Sequence, residues 1–406
     1  MSPAPSLGRG WAITVVATAT MAVSYLDRQV LGVLAPSVRE DLEIGNEAYG
    51  WIAAAFSYAY LFATPIAGRL LERLGVRRGL VVAVLVWSLV SASHGLAMSV
   101  PILFVMRFAL GVTEAPSFPG ATASISRVLP PAQRPRGLGM LYTGTSLGAM
   151  LAPVLATALA AWLGSWRWAF AGVALIGLCW VPLWLAVTAP KSVRSLLDAP
   201  PEASAPRPSL LAMMKHRAVV RAAALVVASS PAFAFFFLWS SLYLHDAHAV
   251  AQDEMGRYLW MPPLLLDAGA LTFGFLAGRH ASRHGPERSP VLLACVAMVL
   301  VASLALLPLT RDPWSATLVF GVAMAGGGGV FAILTADLVT GVGPQLAASA
   351  GGITAAAQSI AYIVASPLIG RAVEATSRYD VAAIGVGLWL VPGALVWIAM
   401  RPRVAA

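Results

Sequence analysis

The chain has 406 residues, 59% apolar and 11% charged, with 27 Lys and Arg against 18 Asp and Glu. An average soluble domain is about 45–50% apolar and about 25% charged, so this chain has too few charges to coat a water-facing surface. Disorder is excluded on the same ground, because it requires low hydrophobicity. What remains is a polytopic membrane protein. The net charge of +9, taken alone, points to nucleic acid or an acidic partner. Where the charges sit decides that question.

A helical crossing of the hydrocarbon core takes about 20 apolar residues. Apolar runs fall at 11–34, 48–70, 79–98, 101–126, 137–161, 166–188, 218–244, 256–279, 289–309, 313–338, 345–370 and 381–400. All twelve read as transmembrane helices, the open-chain way to satisfy backbone groups in lipid. The longest polar stretch, 189–217, predicts a cytoplasmic linker between a first six-helix bundle over 1–188 and a second over 218–406. The first run is too long for a signal-peptide core and has no A-x-A exit, so insertion is expected through the first span itself. Cys179 and Cys295 lie inside apolar runs and predict no disulfide framework.

Alternate loops sort the basic residues unevenly, 19 on the face that carries both termini and six on the other. The rich face holds Arg9, Arg69, Arg73, Arg77, Arg78, Arg127, Arg134, Arg136, Arg279, Arg283, Arg288, Arg401 and Arg403. Lys191, Arg194, Arg207, Lys215, Arg217 and Arg221 of the linker region complete it. Both termini are therefore expected in the cytoplasm. The basicity is an insertion signal and predicts no nucleic-acid partner. Arginine outnumbers lysine 25 to 2, which suggests a GC-rich bacterial genome and hence a bacterial inner membrane.

One loop occurs twice. Gly68-Arg-Leu-Leu-Glu72-Arg73-Leu-Gly75-Val-Arg77-Arg78 follows the second span, and Gly278-Arg-His-Ala-Ser282-Arg283-His-Gly285 follows the eighth, offset by 210 residues. Two six-span halves with one loop motif fit parallel repeats about an axis along the membrane normal. The first copy resembles the signature loop of the major facilitator superfamily. That resemblance implies two pseudo-symmetric six-helix bundles and makes Gly68, Glu72, Arg73, Gly75 and Arg77 gating residues.

Further motifs narrow the resemblance. They are Tyr25-Leu-Asp27-Arg28-Gln29, Tyr49-Gly50-Trp51-Ile52, Arg107-Phe-Ala-Leu-Gly111-Val-Thr-Glu114-Ala115-Pro116, Gly144-Thr-Ser146-Leu-Gly148, Trp166-Arg167-Trp168, Asp267-x-Gly269 and Ala336-Asp337-Leu338. Together they are similar to the anion:cation symporter family, especially its bacterial hexuronate and sugar-acid branch. In the seventh span, Trp239-Ser240-Ser241-Leu-Tyr243 lacks the proline that relatives often carry near that point. The resemblance implies proton-coupled import of an organic anion, with Asp27 and Glu114 carrying protons and Arg28 holding the substrate.

Ionisable groups inside spans are costly and mark function by default. Asp27, Arg28, Arg107, Glu114, Asp267 and Asp337 qualify. His94, near a span end, is expected at the interface. Arg107 and Glu114 share a helix face about two turns apart, roughly 10 Å, and are expected to share other partners. An organic anion needs a fixed cation, and Arg grips a carboxylate through two parallel hydrogen bonds. Coupling needs a carboxylate poised by burial against nearby positive charge. Tyr25, Tyr58, Tyr142, Thr145, Ser146, Trp239, Tyr243, Thr354, Gln358 and Tyr362 are candidates to complete a sugar-acid site.

Each assignment has a bland counterpart. Arg28–Glu114 or Asp27–Arg107 can be static ion pairs, Asp267 and Asp337 can cap broken helices, and the polar and aromatic residues can simply pack helices. Gly326-Gly327-Gly328-Gly329 lacks a following Lys-Ser/Thr, so it is close helix packing or a flexing point and no phosphate loop. No catalytic centre, metal site or cofactor is expected. The expected partners are a small organic anion, protons with Na⁺ left open, and the lipid bilayer, around a monomer. Export or exchange of another amphipathic anion or drug is the alternative, and a non-transporting membrane sensor a remote one.

Overall fold

The computed structural model describes residues 6–199, 209–285, 288–343 and 346–400, which are helical throughout with no strand among them. Arg207, Arg401 and Arg403 lie outside the described residues, as does the side chain of Glu72. Among the described residues, eleven stretches are long and apolar enough to cross a membrane, from Asn46–Leu71 through Asp380–Ala399. The first predicted span is the 27-residue helix α1 (Leu7–Val33), which is not among the eleven. Thr14, Thr18, Thr20, Ser24, Asp27, Arg28 and Gln29 dilute its apolar character. Most of these polar residues are buried against neighbouring helices.

The first half continues with α2 (Asn46–Leu74), α3 (Val76–Ser93), α4 (Val100–Glu114), α5 (Ser117–Val128), α6 (Arg134–Leu163), α7 (Trp166–Val187) and the short α8 (Lys191–Leu197). The fourth span is two helices because Pro116 cannot continue α4, and Glu114 is left as its last residue. The second half holds α9 (Arg217–Ala234), α10 (Ser240–His248), α11 (Met261–His284), α12 (Val291–Ala302), α13 (Pro313–Val342), α14 (Ala347–Thr376) and α15 (Asp380–Ala399). Between α9 and α10, Phe235–Trp239 winds as a π-helix. The seventh span thus breaks its regular winding without a proline at Trp239.

The chain forms two compact units. One comprises Met1–Ile44, Ala55–Ala205 and Gln252–Trp260, the other Gly45–Ala54, Pro206–Ala251 and Met261–Ala406. In lipid no hydrophobic force drives helices together, so close backbone approach and buried polar contacts do that work. In the first unit Gly144 and Gly148 of α6 lie one turn apart against the carbonyls of Thr18 and Ala22 of α1, where a Cβ would collide. Trp180 Nε1 donates to the Val16 carbonyl at 2.8 Å and stacks on Trp184 at 5.2 Å. In the second unit the four glycines of α13 each meet a close neighbour: Gly326 the backbone of Ala297 and Val301, Gly327 the Phe233 ring, Gly328 the Leu266 carbonyl and Gly329 the Phe273 ring. That geometry is close packing. The repeated loop is also visible in the backbone, since Gly75 has φ +79° and Gly285, 210 residues on, has φ +89°. Both turns need the left-handed conformation that glycine adopts without penalty.

Candidate functional site

Four charged residues meet in the interior of the first unit. On α4 the buried positions Leu103, Arg107, Leu110, Gly111 and Glu114 form one stripe at helical spacing. Facing it, α1 presents Ser24, Asp27 and Arg28. Arg28 Nε donates to Glu114 Oε2 at 2.7 Å, and Ser24 Oγ donates to the same oxygen at 2.8 Å. Glu114 is fully buried, and its Oε1 has no hydrogen-bond partner among the described residues. Asp27, also fully buried, accepts from Ser91 Oγ at 2.6 Å, with Trp87 as a further neighbour.

The Arg28 guanidinium is caged. It lies 4.9 Å from the Tyr25 ring centroid, 4.8 Å from Phe56 and 4.6 Å from Tyr60. Each such contact contributes roughly 0.5–2 kcal/mol, more when desolvated. Within this cage Nη2 is buried with no hydrogen-bond partner among the described residues. Arg107 donates to the Arg28 carbonyl at 3.5 Å and sits 5.4 Å from the Phe56 ring. Arg107 and Glu114 therefore share Arg28 as a partner, one through its backbone and one through its side chain.

Phe56, Tyr60, Ser24, Ser91 and Trp87 are absent from the sequence-based candidates. Phe56 and Tyr60 are four residues apart on α2, so they share a face that the proposed Tyr58 does not. Half-buried Tyr58 lies about 200° around the helix from each. The signal that finds the cage is the Phe56-x-x-x-Tyr60 spacing. Gly111 allows the approach, since its Cα abuts the Phe56 carbonyl.

The remaining candidates are placed as follows. Tyr142 is exposed, with its ring 5.9 Å from Phe118, and Thr145 donates back to its carbonyl at 2.6 Å. Ser146 is buried. In the second unit, Trp239 is fully buried edge-on to Tyr49 at 5.1 Å, and Tyr49 donates to the Leu238 carbonyl of the π segment at 2.8 Å. Tyr243 is enclosed by Phe320, Tyr379 and His248, and its hydroxyl bonds to the Leu307 carbonyl at 2.8 Å and Thr310 at 2.9 Å. Thr354 is buried and donates to the Gly351 carbonyl at 2.9 Å, while Gln358 and Tyr362 are half-buried on the same α14. Asp267 is half-buried on α11.

Asp337 has a partner that the sequence reading assigned to the linker. Arg221 Nη1 lies 2.5 Å from Asp337 Oδ2, Ser289 Oγ donates to Oδ1 at 2.6 Å, and Arg221 Nη2 donates to Ser289 at 3.1 Å. Arg221 also donates to the Trp397 carbonyl at 2.9 Å and lies 4.1 Å over that indole. The expectation that Arg221 is a loop charge is corrected, because it is 3% exposed. His94, at the C-cap of α3, is fully buried, stacked 5.0 Å from Phe170, with Nδ1 2.8 Å from the Val90 carbonyl.

In the signature loop, Gly68 and exposed Arg73 lie on α2, and Gly75 is the N-cap of α3. Arg77 Nε donates to Thr188 Oγ1 at 2.9 Å. Among the described residues, no group of three or more His, Cys, Asp or Glu is placed to hold a metal ion.

Many long apolar helices, with a buried charge cluster in the first unit, fit a multi-pass membrane protein, and the family and relatives that follow make it a transporter rather than an enzyme. Residues 17–361 match the family model described as Major Facilitator Superfamily, and the chain belongs to that family. It is 29% identical to a galacturonate transporter of Dickeya chrysanthemi over 66% of this chain and 81% of that protein. It is 24% identical to the hexuronate transporter of Escherichia coli K12, covering 98% and 95% of the two chains. A hexuronate transporter of Bacillus subtilis is 27% identical, covering 90% and 88%. Among solved structures, a bacterial homolog of the human lysosomal transporter Spinster superposes with a TM-score of 0.80 at 16% identity, over 99% of this chain and 100% of that one. That likeness concerns the fold.

Proposed function

We propose that the protein imports a sugar acid, such as a hexuronate or aldonate, or a similar carboxylate together with a proton, by alternating access. The observation that carries this reading is Arg28, held between a buried carboxylate and an aromatic cage with Nη2 unengaged. The names of the three relatives, all sugar-acid transporters, supply the substrate class.

The mechanism follows from charge conservation in a buried site. With Glu114 ionised, it is the counter-ion of Arg28 and the pair is neutral. Once Glu114 takes a proton, Arg28 is left without a counter-ion, which is costly in the interior. A substrate carboxylate then fills that role, gripped by the guanidinium fork. The site is neutral in both states, so proton and anion load together and leave together. Asp27, about 100° around the helix from Arg28, is the second proton carrier. The cluster needs no chemistry beyond this exchange of partners. Both termini face the cytoplasm, as the basic residues direct.

Uptake by purified protein in proteoliposomes tests the reading. Accumulation of galacturonate or gluconate should follow an imposed inward proton gradient, with competition by sugar acids stronger than by lactate. Uptake indifferent to the gradient would overturn the coupling, and preferential loss of preloaded anion would favour export or exchange.

A further inference from the structure

The chain segment that follows the last long helix of the first unit packs back into that unit's core. After α7, the helix α8 turns back and buries Val193 and Leu197 completely among the side chains of that unit's core, beside Val76, Leu80, Ile125 and Trp184. Arg127, at the end of α5, donates to the Leu197 carbonyl. The next residue, Asp198, puts its carboxylate at the start of α3, where Oδ1 accepts the backbone N–H of Arg77 at 3.2 Å.

That contact fills a specific gap. A helix start is normally capped by a Ser, Thr, Asp or Asn of its own first turn. The N-cap of α3 is Gly75, which has no side chain to offer. The capping oxygen instead comes from 121 residues further along the chain, and its charge favours the positive end of the helix. Gly75 is needed twice over. Its φ is +79°, and a Cβ there would collide with the Asp198 carboxylate. Around the contact, Arg77 reaches Thr188, and Trp184 Nε1 donates to the Arg77 carbonyl at 3.2 Å.

We infer that α8 and Asp198 form a clamp on the signature loop that ends at Gly75–Arg78, closed in one state of the transport cycle and open in another. This rests on the transport reading above. Gly75 and Arg77 cannot change their backbone without losing the Asp198 cap. A cap of this kind shifts an equilibrium about tenfold, enough to bias a loop and weak enough to break in each turnover.

Trypsin provides the test, because Lys191 and Arg194 are exposed on α8 and a docked helix resists cleavage. Cleavage after these two residues, located by mass spectrometry, is compared for the intact protein, Asp198→Ala, Asp198→Asn and Gly75→Ala in detergent. Cleavage should accelerate about tenfold in Asp198→Ala and Gly75→Ala, and less in Asp198→Asn, which keeps an acceptor oxygen. Net uptake should change at least threefold in the same variants, while galacturonate binding by thermal shift stays within about twofold. Equal cleavage rates, or faster cleavage with unaltered uptake, would overturn the clamp. Should Asp198→Ala fail to fold, Asp198→Asn is read by the same two criteria. A parent protein that moves no organic acid sinks the transport reading, and the cleavage comparison still reports on docking.

Discussion

Arg28 turns its Nε to Glu114 Oε2 at 2.7 Å with its guanidinium carbon 4.6–4.9 Å from three aromatic ring centroids, and its buried Nη2 has no hydrogen-bond partner among the described residues. A buried pair of this kind is weak evidence for stability, since desolvation offsets most of the attraction. The cage and the unengaged donor argue for a site that exchanges partners.

Glu114→Gln leaves a neutral group of the same shape, equivalent to a permanently protonated acid. Uptake driven by an inward proton gradient is expected to fall at least tenfold, while exchange of external for internal substrate survives. The check is the two assays side by side in proteoliposomes. Equal loss in both would place Glu114 in binding rather than coupling.

Arg28→Lys keeps the charge and loses the fork. A compact ammonium makes no bidentate contact and does not stack flat in the cage. Affinity for the organic anion should drop roughly tenfold or more, about 1.4 kcal/mol. A thermal-shift titration measures it, and an unchanged midpoint would remove Arg28 from the substrate site.

Arg221→Met strands the Asp337 carboxylate in the second unit. The expected loss of stability is about 3–5 kcal/mol, toward the low end because the Asp337 side chain is 17% exposed. Replacing both partners, Arg221→Met with Asp337→Leu, should recover more than half of it. Unfolding in detergent compares the three proteins. No recovery in the double variant would assign Asp337 a role beyond its pairing.

Asp312 caps α13, its Oδ1 accepting the N–H groups of Trp314 at 2.9 Å and Ser315 at 3.1 Å. Hydrogen bonds from Ser315 hold this carboxyl below its ordinary range. A depressed carboxyl contributes stability that is present above its unfolded value and lost as pH falls through the folded one. Asp312→Ala should therefore melt lower than the parent at neutral pH, with the difference vanishing as the pH drops below the carboxylate range. A gap that persists in acid would show that the carboxylate charge is not what stabilises the helix start.

The spans and the charge cluster were legible because both rest on strong signals. Apolar length announces a crossing, and Asp27, Arg28, Arg107 and Glu114 stand out where charge is scarce. Rotation about a helix axis is a finer matter. Tyr58 and Tyr60 are two residues apart, yet only Tyr60 reaches Arg28, and composition does not distinguish them. Arg221 was hidden by its position at the soft edge of an apolar run, next to real loop charges. Asp198 was hidden by distance, since a cap supplied 121 residues away leaves no local pattern.

The polar loading of α1 has a consequence for biogenesis. On the scale set by insertion through the translocon, Asp or Arg costs about 2.5–3.5 kcal/mol at a helix centre, while each Leu, Ile, Val or Phe returns about 0.3–0.6. The apolar residues of one helix barely offset two such charges. This helix is thus a poor stop signal by itself. It gains a firm place in the bilayer when α4 delivers Glu114 to Arg28 and α3 delivers Ser91 to Asp27. Membrane integration of this half is expected to be a joint event, with α1 waiting in a protein-lined environment until α4 is synthesised.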